Sequence, residues 1–162
     1  MYKLLLLTML SVVWMMMQTL QLDEELAIRT LFYGKHAVNR AVHAAAQQLD
    51  PEALADGVVR IDPEAAEAAA LTYLQANLLI DQTGVPLPGT RLRERVEVLV
   101  FRIVNEGESF PYTYRNETYD YEVTLRKPGV VMIVRLRNPR VFTMLEPIEW
   151  AIKGAAETVT AD

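Results

Sequence analysis

The chain contains no cysteine and only two histidines. The first absence excludes disulfides, thiolate-ligated zinc, iron–sulfur clusters and a thiol nucleophile. The second leaves little for a histidine-based metal site, because His36 and His43 are seven residues apart. On a helix that spacing separates them by about 10 Å along the axis, where a ligand pair needs three or four residues. Seven glycines are scattered singly and none builds a phosphate-cradling loop. Ser11, Ser109 and the threonines have no histidine or lysine beside them in a nucleophile-elbow context. Excess positive charge is lacking too: 16 Lys and Arg stand against 21 Asp and Glu, for a formal charge of −5. That balance disfavours a nucleic-acid partner. No catalytic, metal or cofactor-binding residues are therefore assigned, and the expected function is non-enzymatic.

Proline is missing from the first 49 residues, and Gly34 is the only glycine among them. Nothing there forces a helix to break. Residues 4–20 read LLLLTMLSVVWMMMQTL, with no charge and four polar residues, Thr8, Ser11, Gln18 and Thr19. A helix of this length reaches roughly 26 Å, close to a bilayer's ~30 Å hydrocarbon core. Lys3 precedes the segment and Asp23, Glu24 and Glu25 follow it. The positive-inside rule then puts the N-terminus in the cytoplasm and the body outside. A cleaved signal peptide shares this pattern, but QTLQLDEEL offers no small-x-small cleavage pair, so a retained anchor is preferred. A buried core helix would need a body large enough to cover it on all sides, which the remainder is too small to supply.

The anchor runs on into a predicted amphipathic stem. Leu31, Val38, Val42, Ala45 and Leu49 recur at intervals of 7, 4, 3 and 4, on one helical stripe. Ala41 with Ala44, Ala45 and Ala46 permits close approach of another helix, from the same chain or a neighbour. Leu31, Val38, Ala41, Val42, Ala45 and Leu49 are the candidate assembly residues; packing against the chain's own domain is the commoner use of such a stripe.

Asp50-Pro51-Glu52 and Asp62-Pro63-Glu64 are two helix-start signals, with Asp as cap, Pro at the first position and Glu at the positive end of the dipole. The first opens a short turn that Gly57 ends. The second starts a helix over residues 65–79, with Ala69, Leu71, Tyr73, Leu74 and Leu78 expected to face a core. After Gly84, Pro86, Pro88 and Gly89 the period changes to two. Residues 96–104, 112–114 with 119–125, 130–136 and 148–159 predict an antiparallel sheet of about four strands. One face is expected against the helices, and one end of the other face, with Arg135 and Arg137, in water.

Tyr112, Tyr114, Tyr119 and Tyr121 form the dense aromatic group, either a surface that binds a ligand or cross-strand pairs that stabilise a hairpin. Asn116-Glu117-Thr118 matches a glycosylation sequon at a position where a turn also wants Asn. Arg91, Arg93, Arg95, Arg135, Arg137 and Arg140 suggest a basic face diluted by Glu94, Glu97 and Glu149.

The fold class is α+β, divided into an anchor at 1–21, a helical stem at 22–50 and an extracytoplasmic domain at 51–162. This order of parts is carried by NRAVHAAAQQLD (39–50), IDPEAAEAAALTYLQANLLID (61–81), KPGVVMIVRLRNPRVF and IEWAIKGAAETV. Together they resemble TadE/TadG-like pseudopilins of tight-adherence pili and related secretion systems. The resemblance implies a membrane-anchored subunit that packs with other pilin-like subunits, or with itself, in a filament or its base. The chain departs from peptidase-processed pilins: no small residue leads the apolar segment and no acid lies within it. A non-processed minor component, or one that stays in the membrane, fits these residues better. The alternative of a different class is a membrane-anchored ligand-binding or sensor domain that uses the tyrosines.

Overall fold

The computed structural model describes residues 2–105, 107–138 and 146–159. Arg140 and residues 160–162 lie outside the described set; of the segment 158–162, whose terminal position predicts fraying, Thr158 is buried and its N–H donates to the Pro128 carbonyl at 2.8 Å.

Helix α1 (Tyr2–Ala46) is unbroken over 45 residues, as the absence of proline allows. At 1.5 Å per residue it is about 67 Å long. It is followed by the short α2 (Pro51–Ala55) and by α3 (Pro63–Leu78). Both Asp-Pro-Glu signals act as caps. Asp50 Oδ1 accepts from the backbone N–H groups of Glu52 at 2.9 Å and Ala53 at 3.2 Å. Asp62 Oδ1 accepts from Glu64 at 2.9 Å and Ala65 at 3.1 Å.

Five strands follow: β1 (Glu97–Val104), β2 (Tyr112–Asn116), β3 (Tyr121–Leu125), β4 (Gly129–Asn138) and β5 (Ile148–Glu157). They form two sheets. An antiparallel sheet has the order β1-β4-β5, and β2 pairs with β3 alone as a hairpin. The fold is α+β, with the expected strands divided three and two.

The division follows from β4. Val130, Val131, Met132, Ile133 and Val134 are all buried, so both faces of the central strand are covered. Val130, Met132, Val134 and Leu136 join Ile152 and Ala156 under α1 and α3. Val131 faces the other way, and with Val104 and Leu125 it packs against Phe110, Tyr112, Tyr114, Tyr121 and Val123. The chain is thus layered as helices, sheet and hairpin. The far end of the hairpin face carries ion pairs: Arg135 to Glu97 at 3.0 Å and to Glu149 at 2.9 Å, and Arg137 to Glu149 at 2.9 Å.

Two glycines let α1 lie close on the sheet. A Cβ on Gly34 would collide with Leu136 and Ile152, and one on Gly154 would come within 2.7 Å of Val38 Cγ1. Residues 23–46, expected as a stem, are in this way the central helix of the domain, with Asp23, Ala27, Thr30, Gly34, Ala37 and Ala41 buried along one side.

On α3 the buried residues are Ala66, Ala70, Leu74 and Leu78, spaced by four. Tyr73, expected inside, is exposed, because the stripe that meets α1 starts one position away from it.

Candidate functional site

The first half of α1 is the most unusual surface of the molecule. From Tyr2 to Met17 every large apolar side chain is between 50% and 77% exposed. Burying such a side chain is worth about 1.5–3 kcal/mol, so over thirteen of them the segment forgoes tens of kcal/mol in water. It is long and apolar enough to cross a membrane, a test that a signal sequence near an N-terminus also passes. Its hydroxyls are compatible with hydrocarbon because they are satisfied within the helix. Thr8 Oγ1 donates to the Leu5 carbonyl at 2.8 Å, Ser11 Oγ to Leu7 at 2.9 Å and Thr19 Oγ1 to Met15 at 2.9 Å.

Three residues beyond Leu20 the body begins, since Asp23 is only 2% exposed. The exposed apolar segment and the domain's central helix are therefore two halves of one continuous helix.

The candidate assembly stripe packs within the chain's own domain, the commoner of its two uses. Val38, Ala41, Val42 and Ala45 have no exposed surface and pack within the chain's own core with α3 and the sheet. Leu31 is partly buried against the same cluster. Leu49 is half-buried and bridged to Ile61. The stripe is closed to partners because the small residues that permit close helix approach are already used by α3, β4 and β5.

The tyrosines lie in a two-stranded hairpin, the second of the two readings the sequence allowed. Tyr112, Tyr114 and Tyr121 share the inward face of the hairpin with Val123 and Leu125, half-buried against Val131 and Ala155. Burial pushes the Tyr121 phenol above its ordinary range, with nearby Tyr114 adding to the effect. Tyr119 is in the turn and its N–H donates to Asn116 Oδ1 at 3.2 Å. Asn116 is the last residue of β2, paired with Tyr121, and its Nδ2 donates to the Tyr114 hydroxyl at 3.1 Å. The outward face holds Thr113, Arg115, Glu122 and Thr124, so no flat aromatic platform faces solvent.

A cavity of about 410 Å³ opens between α3 and the loop before β1, with Asp81, Thr83, Arg95 and Glu97 among its polar lining. Asp81, Thr83 and Arg95 are engaged in holding the loop, and Glu97 pairs with Arg135. Asp81 Oδ1 accepts from Thr83 N at 2.8 Å, Thr83 Oγ1 at 2.8 Å and Val85 N at 2.9 Å. The Thr83 hydroxyl, followed by the Val85 N–H, holds the Asp81 carboxyl below the usual range, which suits an anchor and not a base. Arg95 Nε donates to the Thr83 carbonyl at 2.7 Å.

His36 and His43 line an open groove with Arg40, Gln47 and Tyr73 where α3 flanks α1. Arg40 donates to Asn77 Oδ1 of α3 at 2.6 Å. Among the described residues, no group of three or more His, Asp or Glu side chains is placed to hold a metal ion.

Two anchors escaped sequence reasoning. Asn105, just past the end of β1, accepts from the Ile61 N–H at 2.9 Å and donates to the Ile61 carbonyl at 3.0 Å. Asp50 accepts from Arg60 Nη2 at 2.5 Å in addition to capping α2. An Asn at a strand end carries no sign of its distant partner. Repetition of the Asp-Pro-Glu motif twelve residues apart is the signal that brackets the second anchor.

Comparison with models of known protein families, with curated proteins and with solved structures finds no match to this chain.

Proposed function

We propose that this chain is a non-catalytic, single-pass membrane subunit of the pilin-like class, resembling a TadE-like pseudopilin, that works by joining other subunits at the cell surface. The observation that carries this reading is α1: its first half is an exposed apolar rod, and its second half is the core helix of an α+β domain, with no joint between them. Such a helix fixes the domain against the bilayer face. A subunit that must be stacked in register needs its domain held at a fixed height above the bilayer, and an unbroken helix supplies that.

Lipid holds residues 4–20, the acidic cluster Asp23, Glu24 and Glu25 follows outside, and the domain stands directly on the membrane. The residues offered to partners are those α1 and the hairpin leave outward, because the alanine stripe is spent internally. No acid lies within 4–20 to pair with a neighbouring chain's amino terminus, which fits a minor or membrane-retained component.

The test is the size and location of the full chain extracted in mild detergent. Particles several times 18.4 kDa, with the protein also present in sheared surface filaments or their membrane base, support assembly. A chain that remains a monomer in the membrane and is absent from filaments contradicts it.

A further inference from the structure

We infer that two copies of this chain pair in parallel within the membrane along one stripe of α1, with the Gln18 amides of the two copies bonded to each other. This rests on the membrane-anchored reading above.

The four polar residues of segment 4–20 are not scattered. At 100° per residue Thr8, Ser11, Gln18 and Thr19 fall within an arc of about 100°, with the rest of the circumference apolar. Three of them are hydroxyls bonded to their own helix. Gln18 differs: among the described residues its amide has no partner. A primary amide carries two N–H donors and a carbonyl acceptor, and left unpaired in hydrocarbon it is costly. Lipid chains offer no hydrogen bond, so a protein group must.

The amide also says which protein. It is self-complementary, donating through its nitrogen and accepting through its oxygen. Copies inserted with the same topology run parallel and hold residue 18 at the same depth, so a second copy presents the matching group without any shift in register.

An independent observation lies outside the bilayer. Leu22 and Phe32 continue, beyond the bilayer, the side of α1 that carries Ser11 and Gln18. Phe32 is 60% exposed, and Leu22, on the same stripe, 52%. Phe32 lies about 18 Å beyond Leu20 along the helix, too far out for lipid tails to cover it. The domain packs on roughly the opposite side, through Ala27, Gly34 and Ala41, and leaves the stripe open. Farther along, Arg40 is held by Asn77 of α3, which ends the open stretch.

The absence of cysteine makes the test direct. Full-length chains carrying Ser11→Cys or Leu22→Cys on the stripe, and Val13→Cys or Leu20→Cys on the far side, are oxidised in native membranes. The pellet is washed with alkaline carbonate before electrophoresis. The expected result is a disulfide-linked homodimer for Ser11→Cys and Leu22→Cys and none for the other two. Adding Gln18→Leu to Ser11→Cys should lower dimer formation by roughly threefold to twentyfold, the factor for one interhelical hydrogen bond. Chain retained in the pellet with uniform, absent or exclusively heterologous cross-links overturns the pairing and leaves the anchor standing. Chain released from the pellet overturns both.

Discussion

Gly34→Val puts the close fit of α1 on the sheet to a quantitative test. A Cβ at this position already collides with the ends of Leu136 and Ile152, which are buried and have little room to turn. Overpacking of this kind costs about 1–3 kcal/mol. The helix propensity of Val over Gly returns only about 0.3 kcal/mol, so the net loss is roughly 1–3 kcal/mol. The readout is denaturant unfolding of the full chain in detergent, followed by the fluorescence of Trp150 in a Trp14→Phe background. Gly107→Ala, with open space around it, serves as the control and should stay within about 0.5 kcal/mol. Ile152→Ala alone should cost about 2–5 kcal/mol. Combined with Gly34→Val it should cost less than the sum by at least about 0.5 kcal/mol, because each change relieves the other. A neutral or stabilising Gly34→Val, or strict additivity with Ile152→Ala, would refute the packing of α1 on the sheet.

Further outcomes follow from other contacts. Asn105→Ala removes two bonds to the Ile61 backbone and should destabilise by about 2 kcal/mol, with faster hydrogen exchange at the Ile61 N–H. The Asp50 carboxyl, held low by the Arg60 side chain and then by the Ala53 N–H, should titrate below an ordinary aspartate near 3.8 by NMR. Since the folded value is the lower one, its stabilising contribution is complete above that ordinary value and is lost as pH falls through the folded pKa. Arg60→Gln should move the midpoint back up; an unchanged midpoint would remove Arg60 as the cause. Val13→Arg places a charge in the middle of the apolar segment at a cost of about 2.5–3.5 kcal/mol and should release a large share of the chain from membranes. Unaltered retention would argue that the segment does not span.

Much of this fold was legible because local chemistry decided it. The two Asp-Pro-Glu caps and the change from period 3.6 to period two each specify a conformation within a few residues. The alanine stripe was legible as a close-packing surface, but small residues state how near a neighbour comes and not whose it is. Only the folded chain shows that α3 and the sheet occupy it. The hairpin was read correctly as a hairpin. Its departure from the main sheet depended on Val131 and Ile133, whose burial on the second face looks the same in sequence as the ordinary apolar run of a central strand. The tyrosines turn inward for the same reason, since period two assigns them to one face without naming which face is inside. Gly34 passed for a tolerated helix glycine until Leu136 and Ile152, more than a hundred residues away, were placed over it.

The central claim is that residues 4–20 remain part of the working protein and hold it in the bilayer. Intact mass of the native chain from carbonate-washed membranes tests it most directly. The account predicts a full-length mass of 18.4 kDa in the membrane fraction. A shortened chain lacking the apolar segment, recovered free of membranes, would contradict it.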